Sequence, residues 1–105
     1  ILIGGRAPHA IERAAKYGDG WFPMSRTPQN LAAPIREYRE LTEAMGRPPG
    51  QIAVSTRLPL DDEPRTRALL DEYRTLGVDR LVCGLGYDTI EEFRSRLESL
   101  AAALA

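Results

Sequence analysis

Four short apolar runs alternate with four longer amphipathic segments along the whole chain. The runs are residues 1–5, 20–24, 52–56 and 80–84, and their length and β-branched content are typical of buried strands. Apolar residues at helical spacing follow each run, and Gly18, Gly46 and Gly77 end the first three of these segments. The sequence therefore predicts four strand–helix units in series, which favours parallel strands joined by right-handed crossovers.

The last segment carries the clearest helical stripe of the chain. Thr89 and Glu92 have the spacing of a capping box, which predicts that a helix begins there. The residues that share one face of this helix, which we expect to be buried, are Ile90, Phe93, Leu97, Leu100 and Leu104.

Two architectures accommodate four such units. One is a small open parallel sheet with helices on both faces, which buries both sides of the sheet and can stand alone. The other is half of an eight-stranded (β/α) barrel, because a whole barrel needs about 250 residues and this chain has 105. A half barrel leaves two strand edges exposed, so physical reasoning alone slightly favours the open sheet.

Composition limits the partners we expect. Fourteen basic and 15 acidic residues give a net charge of -1, which offers no basic surface for nucleic acid or an anionic membrane. No apolar run reaches the roughly 18 residues of a membrane span, and no basic segment typical of a signal peptide precedes the first run. With one cysteine, Cys83, and one histidine, His9, we expect no metal site and a reducing cytoplasm. Cys83 lies within a predicted strand, which favours a core position.

The first strand ends in a motif that suits a phosphate. Gly4 and Gly5 allow close approach of the backbone, and the helix that begins near Pro8 presents free N–H groups and a positive dipole end. The alternative is a tight strand-to-helix turn that needs glycine for its geometry alone. Gly84 and Gly86 also permit close approach, but a G-x-G pair by itself is a weak signal of nucleotide binding.

Three stretches carry a resemblance to a known family. The segment 1–5 (ILIGG) followed by 10–21 (AIERAAKYGDGW) resembles the "IGG…A…RAA…GDGW" signature of the bacterial luciferase-like monooxygenases. Residues 44–49 (AMGRPP) and 76–81 (LGVDRL) are similar to a turn and a strand entry of the same family. The branch that uses a deazaflavin coenzyme is the most similar. The resemblance implies a (β/α) barrel, of which residues 1–105 form a single domain that matches the C-terminal half, strands five to eight.

The resemblance also implies a flavin-type cofactor, FMN or the deazaflavin coenzyme F-420, and a small-molecule substrate. Relatives hold the cofactor phosphate at the loop that corresponds here to Gly4, Gly5, Arg6, Ala7 and His9. Many have serine where this chain has Ala7, so one hydroxyl donor is lost, and Arg6 could replace it with charge. His9 has a second interpretation, as a solvent-facing helix residue.

The end of the second strand is expected to contribute to the substrate rim, through Met24, Ser25 and Arg26. Trp21, on the same strand, is expected to pack inside the barrel. The strands that hold the flavin ring and supply a general acid or base have no counterpart in this chain. No catalytic residue is therefore assigned, and the chain alone is expected to be inactive. Its exposed edges imply a homo-oligomer. The alternatives are a non-catalytic, self-associating half barrel and an open-sheet phosphate-binding module.

Overall fold

A computed structural model describes residues 1–6, 8–24 and 27–105. It is an α/β structure in which every predicted strand and helix is present, so the predicted α/β class is confirmed. The elements in chain order are β1 (Leu2–Gly5), α1 (His9–Tyr17), β2 (Gly20–Pro23), α2 (Pro28–Ala44), β3 (Gln51–Thr56), α3 (Glu63–Leu76), β4 (Arg80–Cys83) and α4 (Ile90–Leu104).

The four strands form one parallel sheet in the order β1-β2-β3-β4. Ile3 pairs with Trp21 and Trp21 with Ile52, and on the other side of β3 Val54 pairs with Leu81. The helices pack against one another in the same sequential order, α1 with α2, α2 with α3 and α3 with α4. Right-handed crossovers between sequential strands place every helix on one face. This arrangement is consistent with half a barrel, in which the helices cover one face of the sheet.

The core lies between the sheet and the helices. Ile52 and Val54 alternate toward this face of β3 and are fully buried, together with Ile11 of α1. Trp21 also lies on this face, where its ring packs against Tyr38 of α2 with 6.0 Å between centroids. The expectation that Trp21 packs inside the barrel is therefore wrong. The alternation of β2 points it outward, toward the helices.

The opposite face of the sheet is covered by no described element. Its side chains alternate with those of the core face, and the outermost, Val82, is 47% exposed. The radius of gyration is 15.4 Å, whereas a chain of this length packed into one globule has about 13 Å. The molecule is thus an elongated arc, with β1 and β4 as its two free edges.

Helix α4 departs most from expectation. Its predicted apolar face is largely exposed, with Ile90 67%, Leu97 42% and Leu104 53% accessible, and Ala103 is its only buried residue. The prediction that this stripe is buried is wrong. In a closed barrel, a helix in this position lies over its own strand and the next one, but here no strand follows β4 and α4 packs chiefly on α3.

Local signals set where the later helices begin and end. Thr89 Oγ1 accepts a hydrogen bond from the Glu92 amide at 3.1 Å, as the predicted capping box requires. The Glu92 carboxylate accepts in return from the amide of Asp88 at 2.9 Å, one residue before the usual partner. Gly77 ends α3 in the left-handed conformation, with φ of 79°.

Candidate functional site

The loops after the four strands share the carboxyl edge of the sheet, where barrel proteins place their active sites. A cleft of about 300 Å³ opens there between the β1–α1 loop and the start of α2. Its lining is formed by Gly5, Arg6, Trp21, Pro23, Met24, Asn30, Leu31 and Pro34. Arg6 is the one charged side chain among these described lining residues, so the cleft has a net positive charge.

Gly5 is required by the turn itself. Its φ is +125°, and a Cβ there would lie 2.9 Å from the Cβ of Ala10. Its carbonyl also accepts a hydrogen bond from Trp21 Nε1 at 3.3 Å. Close packing of α1 against the end of β1 thus explains this glycine without a ligand, as the alternative interpretation of the motif holds.

Gly4 has a different environment. It is exposed on the uncovered face of the sheet, and the nearest atom to a Cβ placed there is the Phe22 carbonyl oxygen, at an ordinary 3.7 Å. Its φ is not positive. The fold therefore does not demand glycine at this position, and bare backbone is accessible there.

The start of α1 offers fewer free amides than a helix N-terminus in general. Pro8 is the N-cap and makes no side-chain capping bond, and the amide of Ala10 donates to the Arg6 carbonyl at 3.1 Å. His9 is exposed at the first position of α1 and does not line the cleft. Of the predicted phosphate-loop residues, Gly5 and Arg6 line the cleft, and Ala7 lies outside the described residues.

The predicted rim residues meet this cleft only in part. Met24 lines it, whereas Ser25 and Arg26 lie outside the described residues. Sequence reasoning missed Asn30 and Pro34, which come from the first turns of α2. A proline inside a predicted helix was the available signal, because Pro34 has no N–H to donate to the Asn30 carbonyl.

A second cleft, of about 400 Å³, lies at the other end of the same edge, between the loops after β3 and β4. Its lining is more polar and is formed by Arg57, Leu58, Leu60, Gly84, Leu85, Gly86, Tyr87, Asp88, Glu92 and Arg96. Cys83 at the end of β4 is half-buried rather than part of the core and does not line this cleft; burial raises the pKa of its thiol, which disfavours the thiolate.

Two features are absent from the described residues, a membrane-spanning helix and a metal-binding cluster. In that part of the chain, no helix combines the length and apolar character that a membrane crossing requires. Nor does it bring three His, Cys, Asp or Glu side chains together in an arrangement that could hold a metal ion.

A parallel sheet with strands in sequential order, helices on one face and two clefts at its carboxyl edge is consistent with half of a (β/α) barrel. The family model of the luciferase-like monooxygenases matches residues 1–102. The chain therefore belongs to the luciferase-like monooxygenase family, whose kind of chemistry is flavin-dependent oxidation and reduction. Comparison with individual curated proteins gave no match.

Proposed function

We propose that this chain is the C-terminal half of a flavin- or deazaflavin-dependent oxidoreductase barrel, and that it holds the phosphate end of the cofactor. The observation that carries the proposal is the cleft at the carboxyl ends of β1 and β2, with Arg6 as its one described charge. An anionic group is attracted to such a site, and family membership supplies the kind of anion.

The described residues fit a phosphate bound near Gly5 and Arg6. Both residues line the cleft, and the Arg6 guanidinium can donate charge-assisted hydrogen bonds. The bound cofactor would supply the redox chemistry. The chain's own part is to anchor the phosphate through Arg6, to wall the cleft with Trp21 and Leu31, and to present Met24 toward a small-molecule substrate. FMN and coenzyme F-420 both carry a phosphate, so this site suits either.

We further propose that two copies assemble around a two-fold axis parallel to the strands. Such an axis brings β4 of one copy beside β1 of the other in parallel sense, and both edges are unpaired within the chain. The same contact covers the uncovered sheet face and the exposed Leu97 of α4.

A lone cysteine, which permits no internal disulfide, is consistent with residence in the cytoplasm.

Titration of the protein with FMN, followed by flavin fluorescence, tests the cofactor site. Arg6→Ala should weaken binding by about 1 kcal/mol, the loss of one charge-assisted contact. Arg6→Glu should abolish it, because the reversed charge lies in the cleft and repels the phosphate at a position that the fold leaves exposed. Arg94→Ala, an exposed change on α4 that lines neither cleft, is the control. Equal binding by wild type and Arg6→Glu would overturn the placement.

Light scattering tests the assembly. We expect a mass of twice 11.7 kDa at micromolar concentration, and a return to the monomer mass with Leu97→Glu. Glu98→Gln, an exposed polar change on the same helix, should leave the mass unchanged. A clean monomer for the wild-type chain would contradict the two-fold arrangement. A stable dimer that binds no FMN would instead favour a non-catalytic half barrel.

A further inference from the structure

We propose that the second cleft, between the loops that follow β3 and β4, binds an oxyanion of the substrate through the guanidinium groups of Arg57 and Arg96. The substrate would then be a small organic acid or phosphate ester whose anionic group enters at this end of the edge. The inference rests on the proposed function in one respect only, which is that the chain acts on a substrate at all.

The first observation concerns glycines that the fold does not need. Neither Gly84 nor Gly86 has a positive φ. A Cβ on Gly84 would come no closer than 3.5 Å to any neighbour, and one on Gly86 no closer than 4.0 Å. Both nearest atoms belong to Arg57. Gly5 and Gly77, by contrast, have positive φ and would place a Cβ within 3.0 Å of a neighbour. The bare backbone at 84 and 86 therefore keeps open the space beside the Arg57 side chain.

The two arginines of this cleft, Arg57 and Arg96, form no ion pair with a described residue. Within the described part of the chain, neither Arg57 nor Arg96 has a carboxylate within ion-pair distance, and neither donates a hydrogen bond. Other arginines of the chain are engaged, for example Arg67 with Glu63 at 2.8 Å and Arg39 with the Gly77 carbonyl at 2.9 Å. Two guanidiniums that line one cleft of about 400 Å³ without a direct ion pair present ten N–H donors to whatever enters it.

Two carboxylates also line the cleft and balance its formal charge, but neither is paired with an arginine. The Glu92 carboxylate is held on the Asp88 amide at 2.9 Å, as part of the cap of α4. The Asp88 side chain makes no ion pair with any described residue. It can repel a second negative charge, so the cleft favours a ligand with a single anionic group over a polyanion.

The position of the cleft suits a substrate rather than a cofactor anchor. It lies at the same carboxyl edge as the Arg6 cleft, but on the other two strands of the sheet. A ligand held here by its anionic end can extend along the edge toward the strands that carry the first cleft. Bidentate arginine contacts hold the charged end of a small acid and so orient the reacting group at its other end.

Amide shifts in ¹⁵N-labelled protein, titrated with inorganic phosphate and separately with acetate, test the proposal. Both anions should shift the amides of Gly84 and Gly86, and glycerol, a neutral polar probe, should not. Arg57→Gln and Arg96→Gln should each raise the apparent Kd by about tenfold. Arg94→Gln, on the same helix but outside the lining, should leave the Kd unchanged.

Gly86→Ala separates binding from folding. Because its φ is ordinary and its Cβ side is open, alanine should leave the melting temperature unchanged or raise it, while the methyl group weakens anion binding. Unchanged binding in Gly86→Ala, or in both arginine variants, would overturn the proposal.

Titration with FMN distinguishes the sources of the anion. Shifts at Gly5 and Arg6, with Gly84 and Gly86 unmoved, support separate cofactor and substrate sites. Shifts at Gly84 and Gly86 would mean that the cofactor phosphate occupies this cleft, which would overturn the substrate assignment. Failure of FMN to bind anywhere, with anions still shifting Gly84 and Gly86, would contradict the proposed cofactor site and leave the oxyanion site supported.

Discussion

The first and last helices both carry apolar residues at helical spacing, but only the first buries them. In α1, four of nine residues are buried, and Ile11 is completely inaccessible. In α4, one of 15 residues is buried, and Leu97 in the middle of the stripe is 42% exposed. The cause is the neighbours: α1 lies over β1 and β2 and against α2, whereas α4 packs chiefly on α3.

The N-termini of the two helices also differ. α1 begins without a side-chain cap, and its position depends on the core beneath it. α4 begins with the Thr89–Glu92 capping box, so local hydrogen bonds contribute to its stability where tertiary packing does not. An apolar stripe therefore predicts that a helix forms, but not that the same chain covers it.

The largest contrast should come from deleting one apolar side chain in each helix. Ile11→Ala should lower the free energy of unfolding by about 2–5 kcal/mol, because it leaves a cavity in the core. Leu97→Ala should cost under about 1 kcal/mol in the isolated chain, because its side chain already meets water. Urea denaturation at a low protein concentration measures both. Equal losses would show that α4 is packed as firmly as α1.

Arginine contacts at the two helix ends provide a second matched pair. Arg47 donates to the carbonyls of Ala15 and Gly18 at the end of α1 and is partly buried, so Arg47→Ala should cost about 1–3 kcal/mol. Arg67 donates to the carbonyl of Ala102 at the end of α4 but is exposed, so Arg67→Ala should cost under about 1 kcal/mol. Both losses are measured by the same denaturation. A greater loss from Arg67→Ala would reverse the comparison.

Features that depend on residues close together in the sequence were predicted correctly, and features that depend on distant residues were not. The capping box of Thr89 and the left-handed Gly77 involve residues three or four apart, so a local pattern is enough to find them. Leu97 is exposed because β4 is an edge strand with no further strand paired beside it under α4, and a helical stripe does not show whether such a strand is present. The outward direction of Trp21 depends on which face of the sheet the helices cover.

The same distinction between local and distant contacts decides which features of the candidate site could be predicted. The glycines at the ends of β1 and β4 stand out in the sequence, but whether the fold or a ligand needs them depends on distant contacts. A Cβ on Gly5 would clash with Ala10, so packing explains this glycine, whereas the nearest atoms to a Cβ on Gly84 or Gly86 belong to Arg57 and lie at ordinary distances. The pairing of Arg57 with Arg96 in one cleft joins two elements 39 positions apart in the sequence, so no spacing rule predicts it.

Removing the α4 cap should have a local effect. Thr89→Ala should destabilise α4 by about 1 kcal/mol. Because α4 contributes little to the core, we expect this to appear as amide hydrogen exchange about fivefold faster in α4, with no change in α1. Thr75→Ala, an exposed hydroxyl in α3 that bonds only to its own helix, is the control. Faster exchange in α1 as well would mean that the two helices unfold together.

The smallest expected effect is a pH dependence at the α1–α2 end. Burial raises the pKa of the Tyr38 hydroxyl above its ordinary value of 10.0, and nearby Asp19 adds to the rise while Arg47 opposes it. In the unfolded chain Tyr38 ionises at the ordinary value, so its contribution to stability is complete below that pH. The contribution is lost as pH rises through the higher pKa of the folded state.

Tyr38→Phe should therefore flatten the fall of the unfolding free energy in that alkaline range, measured by urea denaturation at successive pH values. Tyr17→Phe, at an exposed tyrosine, serves as the control and should leave the slope unchanged. A Tyr38→Phe profile parallel to that of the wild type would mean that the ring is as accessible to solvent as Tyr17, which would remove the contrast between the buried first helices and the exposed last one.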